Sequence, residues 1–376
     1  MEAYLDNSAT TPLCPEAAEA MQEAAARFWG NPSSLHRLGL EAERLLVHCR
    51  ADVAASLHCS PAEVVFTSGG TESNNLALFG AASALKRRGR RIVTSAIEHS
   101  SIAESAMELQ NRGFNVAYLS VDSQGRVPEQ ELLRSITQDT ILVSLMAVNN
   151  EVGTMQPVDN LRRALRQANA PALIHCDAVQ AYGKLPVNPQ RMGVDLLTVS
   201  SHKIHGPKGA GALFVRRGVR INPIMYGGSQ EHKLRPGTEA VPAVAGFAAA
   251  ARAIPDLQQS LQYVIGLRDR LVQGLRTMEG VKLNSPNDAL PYLTNISLPG
   301  LQSETMLNFL SERGVYVSPG SACAKGKKSR VLRAMGLNDA DIAGALRISL
   351  SRFTTWEEID AFLFALNEAR VTLARK

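Results

Sequence analysis

From residue 64 onward, short apolar runs alternate with amphipathic stretches. The pattern predicts strands over 64–68, 91–96, 115–121, 141–148, 172–177, 196–200 and 211–215, with helices over 72–88, 101–112, 128–136 and 158–168. Continuous apolar runs between helices mark strands buried on both faces, and so a mainly parallel sheet covered by helices. The expected fold class is α/β. A long helical region follows over 240–277, with a break at Pro255, since proline cannot continue the hydrogen-bond ladder. Beyond it the pattern changes. Strands at 295–298, 314–317 and 346–349 and helices near 303–313, 329–335 and 356–374 predict a smaller α+β domain. The expected division is a large domain over 13–255 and a small one from 1–12 and 256–376, with the first dozen residues packed near the latter.

Composition narrows the class. At 376 residues, with 45% hydrophobic and 20% charged residues, the chain reads as an ordinary globular protein. Its net charge of +5 comes without a basic stripe or recognition motif, so no direct nucleic-acid binding is expected. The densest basic run, Lys86 to Arg91, reads as a solvated helix end before a strand. No apolar stretch reaches the ~18 residues of a membrane span, and the N-terminus does not resemble a signal peptide. A cytoplasmic protein without membrane contact is expected. The five cysteines are odd in number and form no CxxC pair, so neither a disulfide framework nor a metal site is expected.

The chemistry concentrates at predicted strand ends. Ser200-Ser201-His202-Lys203 closes the strand at 196–200. A lysine there, among small residues and glycines, suits a Schiff base as well as a surface loop. Asp177 closes the strand at 172–177, where open α/β sheets bind ligands. It can pair with a protonated pyridinium nitrogen, keeping a pyridoxal-phosphate (PLP) ring an electron sink, or it can cap a helix. Gln180 would then hydrogen-bond the ring hydroxyl oxygen. Gly69-Gly70-Thr71-Glu72 runs from strand end to helix start, and bare backbone N–H groups with a hydroxyl make an anion cradle. His99 follows another strand and can stack on a flat ring or be a polar loop residue. In Asn149-Asn150-Glu151, one amide can reach cofactor or substrate, or simply make a turn.

Two candidates lie later in the chain. Cys323 sits in a glycine-rich polar segment beside Lys325, Lys327, Lys328 and Arg330, surroundings that favour a reactive thiolate. Cys176, in an apolar run, and Cys49, on a helix face, read as inert, while Cys59 is ambiguous. Arg347 lies within an apolar strand and wants an anion: a substrate carboxylate in a bidentate clamp, or an internal salt bridge. Arg352 is the second candidate for that clamp.

These segments resemble the cysteine desulfurase family of NifS/IscS type, within the class V aminotransferases. The resemblance rests on Leu5-Asp6-Asn7-Ser8-Ala9-Thr10-Thr11-Pro12, Asn31-Pro32-Ser33-Ser34-Leu35-His36, Gly69-Gly70-Thr71-Glu72-Ser73, Glu98-His99, Asn149-Asn150-Glu151-Val152-Gly153, Asp177-Ala178-Val179-Gln180, Ser200-Ser201-His202-Lys203, Arg235-Pro236-Gly237-Thr238 and Gly320-Ser321-Ala322-Cys323. They span nearly the whole chain in the family's order. The resemblance implies the aspartate-aminotransferase-like fold, PLP-dependent transferase fold type I, and a homodimer. It implies PLP bound covalently at Lys203, with ring contacts from Asp177, Gln180 and His99. Phosphate contacts would come from Gly70, Thr71, Ser200 and His202, and from Thr238 of the other subunit. Asn150, Arg347 and His36 would hold L-cysteine, with Lys203, His99 and Cys323 catalytic. The implied reaction leaves L-alanine and a persulfide on Cys323 for an acceptor protein, such as an iron–sulfur scaffold. One departure stands out: the stretch from Cys323 to Val331 is shorter and more basic than in housekeeping members and lacks their Glu-Pro-Ser segment, which leaves the acceptor open. The competing readings are an aminotransferase or selenocysteine lyase of the same fold, and a scaffold that keeps the fold without the chemistry.

Overall fold

The computed structural model describes residues 2–319 and 329–373, so Cys323 and Lys325, Lys327 and Lys328 lie outside the described residues. Seven strands form the central sheet: β1 (Val64–Thr67), β2 (Arg91–Ser95), β3 (Asn115–Leu119), β4 (Thr140–Met146), β5 (Leu173–Asp177), β6 (Leu196–Ser200) and β7 (Gly211–Val215). Every residue of β1, β4 and β6 is buried, which is why these runs show no alternation. The order is β1-β7-β6-β5-β4-β2-β3. The pairs among β2 to β6 are parallel, and β7 runs antiparallel between β1 and β6.

That reversed strand sets up the site. Gly211 opens β7 and pairs with both Thr67, at the end of β1, and Ser200, at the end of β6. A Cβ on Gly211 would lie 2.6 Å from Gly69 Cα, so only glycine lets the backbone after β1 come this close. The helix Gly70–Leu85 therefore starts beside the end of β6.

The region 240–277 is two helices, Val241–Arg252 and Leu257–Arg276, with Pro255 in the gap. Two helices precede the sheet: Pro15–Arg27, which the pattern does not predict, and Arg37–Ser56, expected only as the helix face that carries Cys49. They pack on Val241–Arg252, whose alanines and glycine permit close approach: a Cβ on Gly246 would meet Met21 Cγ at 2.4 Å.

A second sheet, all antiparallel, joins β8 (Lys282–Leu283), β9 (Leu293–Ser297), β10 (Ser318–Pro319) and β11 (Ala345–Ser349) in the order β10-β11-β9-β8. The first residues do pack near it. Ala3–Tyr4 pairs with Val315–Tyr316, and Asp6 bridges to Ser349. The segment then crosses to the loop after β6, where Thr11 donates from N and Oγ1 to the His202 carbonyl, both at 3.0 Å.

Candidate active site

The carboxyl ends of β5 and β6, the start of helix Gly70–Leu85 and the N-terminal segment enclose a cavity of about 340 Å³. Lys203 lies in the short 3-10 turn Ser201–Lys203 that follows β6, and its side chain lines this cavity. Its ammonium donates to the Ser8 carbonyl and, at 2.7 Å, to that of Ala9. Asp177 closes β5 on the same wall. Its Oδ2 accepts from Asn74 Nδ2 at 2.8 Å and its Oδ1 from the Val179 amide at 3.0 Å. Asn74 also donates to Ser101 Oγ at 2.8 Å, so the carboxylate is held by a buried side-chain amide on one oxygen while the other caps the turn that follows β5.

The glycine turn has the features of an anion cradle. Gly69 occupies the helix cap with φ 148° and supplies no side-chain bond, so the amides of the first turn face outward without a cap. Ser200 Oγ is buried beside this turn with no partner among the described residues. A Cβ on Gly70 would come within 3.0 Å of Val179 Cγ2. Thr71 and His202 complete this end, and His202 Nδ1 lies 3.2 Å from Thr10 Oγ1. Burial, with Lys203 and Lys208 nearby, pushes the His202 imidazole down to about 4, so it is neutral at pH 7. A helix start, an unpaired buried hydroxyl and a neutral imidazole fit a phosphate group. The ring-sized cavity between Asp177, Gln180 and His99 fits the rest of PLP.

His99 caps the helix Ser100–Asn111, its Nδ1 2.8 Å from Ser101 Oγ, and lines the cavity. Of the two asparagines, Asn149 makes the turn, with its Oδ1 accepting the amides of Glu151 and Val152, while Asn150 faces the cavity. Arg347, only 1% exposed, also lines it. Its guanidinium donates to Asp6 Oδ1 at 2.8 Å and to the Asn150 carbonyl at 3.0 Å, while Nε has no partner among the described residues. The salt bridge and the cavity position thus coexist. Arg352 points elsewhere, donating to the Ala253 carbonyl at 2.5 Å.

Two expected site residues are not brought to the cavity within this chain. His36 caps the helix Arg37–Ser56, its Nδ1 accepting from the Gly39 amide at 3.2 Å, and it is exposed. Thr238 is likewise exposed and does not line the cavity. Conversely, Asn74, Ser101 and the buried Lys184 belong to the site or its support and were missed. A lysine seven residues after Asp177 and four after Gln180 was the available signal for the last.

The described thiols are poor nucleophiles. Burial pushes Cys49 up to about 11 and Cys59 to about 12, and raises Cys14 and Cys176 as well. The carboxyls behind the cavity are also displaced. Glu98, fully buried, is pushed up to about 8, and Glu151 to about 7, both chiefly by burial.

A family model described as aminotransferase class-V matches residues 3–362. This chain belongs to the class-V aminotransferase family. Among curated members it is 40% identical over 369 residues to the cysteine desulfurase IscS of Methanosarcina thermophila, covering 97% of this chain and 91% of that one. It is 40% identical to the mitochondrial cysteine desulfurase of Saccharomyces cerevisiae, covering 99% of this chain and 76% of that one. Among solved structures, a NifS-like protein superposes with a TM-score of 0.94 at 40% identity, covering 99% of this chain and all of that one. Another, SspA in complex with cysteine, superposes with a TM-score of 0.83 at 31% identity, covering 94% of this chain and all of that one. The fold of this class-V member is PLP-dependent transferase fold type I, an α/β architecture on a mostly parallel sheet, and its family consists of PLP-dependent enzymes.

Proposed function

We propose that this protein is a PLP-dependent cysteine desulfurase. It takes the sulfur of L-cysteine onto the Cys323 thiol, leaving L-alanine and a Cys323 persulfide for an acceptor protein. The observation that carries the reading is the convergence of Lys203, Asp177 and the glycine-capped helix start on one cavity. Relatives named as cysteine desulfurases, and a solved neighbour that holds cysteine, support the substrate.

Bound PLP supplies an electron sink for the carbanion formed when the substrate loses its Cα proton. Lys203 is the amine that would hold the cofactor and, when free, would take that proton. Asp177, oriented by Asn74, would keep a proton on the ring nitrogen. The Gly70 and Thr71 amides, Ser200 and His202 would hold the phosphate. His99, which lines the cavity, would face the ring and could relay a proton there. Asn150 and Arg347 orient the substrate carboxylate. The Cys323 thiolate attacks the substrate sulfur, the C–S bond breaks, and the electron pair with a proton completes alanine. Four of the five thiols are deactivated by burial, which supports assigning this step to Cys323.

The same reading includes a homodimer in which Thr238 reaches the partner's phosphate. It includes the two-domain division at 12/13 and 255/256, and an acceptor drawn from iron–sulfur or other sulfur-cofactor assembly. No helix among the described residues is long and apolar enough to cross a membrane, consistent with action in the cytoplasm. The test is covalent labelling. After addition of PLP and borohydride reduction, peptide mapping should place the pyridoxyl label on Lys203, and Lys203→Ala should take up none. Label on another lysine overturns the assignment.

A further inference from the structure

Lys184 is a fully buried lysine with no role in the reaction described above. The chain reaches it through Gly183, whose φ is 72° and where a Cβ would meet Ile204 Cγ2 at 2.6 Å. Only glycine lets the turn after β5 pass this close to the residue following Lys203. As a result Lys184 lies behind the cavity wall, lining a narrow crevice that it shares with Lys203, Asn7, Thr11 and Tyr292. Burial first, and then the nearby cations Lys203 and Arg347, bring its amine down to about 7. A buried amine in cationic surroundings is costly to keep, so what it touches is informative.

It touches Gln180. Lys184 Nζ donates to Gln180 Oε1 at 3.1 Å, and Gln180 Nε2 donates to the Ser8 carbonyl at 3.1 Å. A side-chain amide can sit either way round, and its neighbours decide which. Here both neighbours agree. Lys184 offers N–H groups to an acceptor, and the reverse orientation would set Gln180 Oε1 against the Ser8 oxygen. Gln180 lines the cavity, and its Nε2 has a second hydrogen not used by Ser8.

We propose that Lys184 is a positioning residue that locks the Gln180 amide with its N–H₂ toward the cavity, so that the site selects a ligand with an acceptor oxygen at that point. This rests on the cofactor reading above, in which that acceptor is the ring hydroxyl oxygen of PLP. The Ser8 carbonyl is shared by Gln180 and Lys203, so the same lock also ties the amide to the lysine that holds the cofactor.

The experiment compares the affinity of the apoprotein for PLP and for 3-deoxypyridoxal phosphate, which lacks only the ring hydroxyl. Both are measured by fluorescence titration rather than by turnover. In Lys184→Met, the preference for PLP over the deoxy analogue should fall by about tenfold or more, the worth of one hydrogen bond to a charged oxygen, while affinity for the analogue stays near wild type. Gln180→Met should lose the same preference, and the double variant no more than either single one. If Lys184→Met does not fold, Lys184→Gln, which can donate or accept and so leaves the amide unlocked, gives the same reading. Equal losses for both ligands would show a merely structural role and overturn the proposal, as would an unchanged preference. A wild-type protein that binds neither ligand would instead overturn the cofactor reading itself.

Discussion

Arg347 and Asp6 are paired at 2.8 Å although 341 positions separate them in the chain. Asp6 is brought there because the N-terminal segment runs alongside β11, bridging at Ser349, two residues beyond the arginine. The carboxylate holds a guanidinium at the cavity wall that would otherwise be a buried, unbalanced charge. Arg347→Ala should therefore weaken cysteine binding by roughly 2–5 kcal/mol, as when a buried charge contact is truncated. Arg352→Ala should leave it unchanged. Cysteine titration followed by the visible spectrum of the bound cofactor checks both, and the opposite pattern would transfer the carboxylate contact to Arg352.

Cys323→Ala separates sulfur transfer from the earlier steps. The variant should bind cysteine and change the cofactor's spectrum, yet release no alanine. In the wild type, mass spectrometry after brief cysteine treatment should find one extra sulfur on the peptide with Cys323. None should appear on peptides with Cys14, Cys49, Cys59 or Cys176, whose thiols are raised by burial. Alanine release at the wild-type rate would favour an aminotransferase-like enzyme instead.

Glu98 should be protonated at neutral pH. Its Oε1 accepts from Ser95 Oγ at 2.6 Å and from the Met146 amide at 3.1 Å, its Oε2 has no partner among the described residues, and burial pushes the carboxyl up to about 8. The folded protein thus binds this proton more tightly than the unfolded chain does. The stability it contributes is complete below the ordinary carboxyl range and is lost as pH rises through about 8. Glu98→Gln removes that dependence. Between pH 5 and 8 the variant should lose less stability than the wild type, and its infrared band of protonated carboxyl at pH 6.5 should be weaker, with Glu151 supplying the remainder.

Arg50, half-buried, should matter to stability. It donates to both oxygens of buried Glu231, at 2.5 and 2.7 Å, and Glu231 also accepts the Phe66 amide at 2.8 Å. That carboxylate anchors a run, Glu231 to Lys233, whose φ values of 45°, 57° and 64° are unfavourable for L-residues. Arg50→Ala strands the charge and should cost about 3 kcal/mol in chemical denaturation. Adding Glu231→Gln should recover part of the loss, and a single variant as stable as the wild type would show the pair to be dispensable.

Much of the architecture was legible because local rules and burial agree. Strands buried on both faces are mainly apolar runs without alternation, as in β4, where every residue is buried and only Thr140 and Ser144 are polar. That placed Asp177, Lys203 and the Gly69-Gly70 turn at strand ends before any coordinates, and their chemistry follows from residue type and position. The helix Pro15–Arg27 leaves little pattern because its buried positions are alanines, Ala17 and Ala24. Alanine is a weak hydrophobic signal, and its meaning comes only from the close approach it permits to Val241–Arg252.

Residue type and strand position, then, determined from the sequence alone which groups could do the chemistry and at which ends of the strands they would gather. Which of them meet was decided by pairing across long stretches of chain. The antiparallel β7 sets the glycine turn beside Ser200, and the N-terminal segment brings Asp6 to Arg347 and the Ser8 carbonyl to Lys203 and Gln180. The Lys184–Gln180 lock belongs to the same class. Its spacing of four residues is visible in the sequence, but the direction of the amide depends on a carbonyl more than 170 residues away. No local preference encodes such an orientation, because an amide's two ends differ only in what surrounds them.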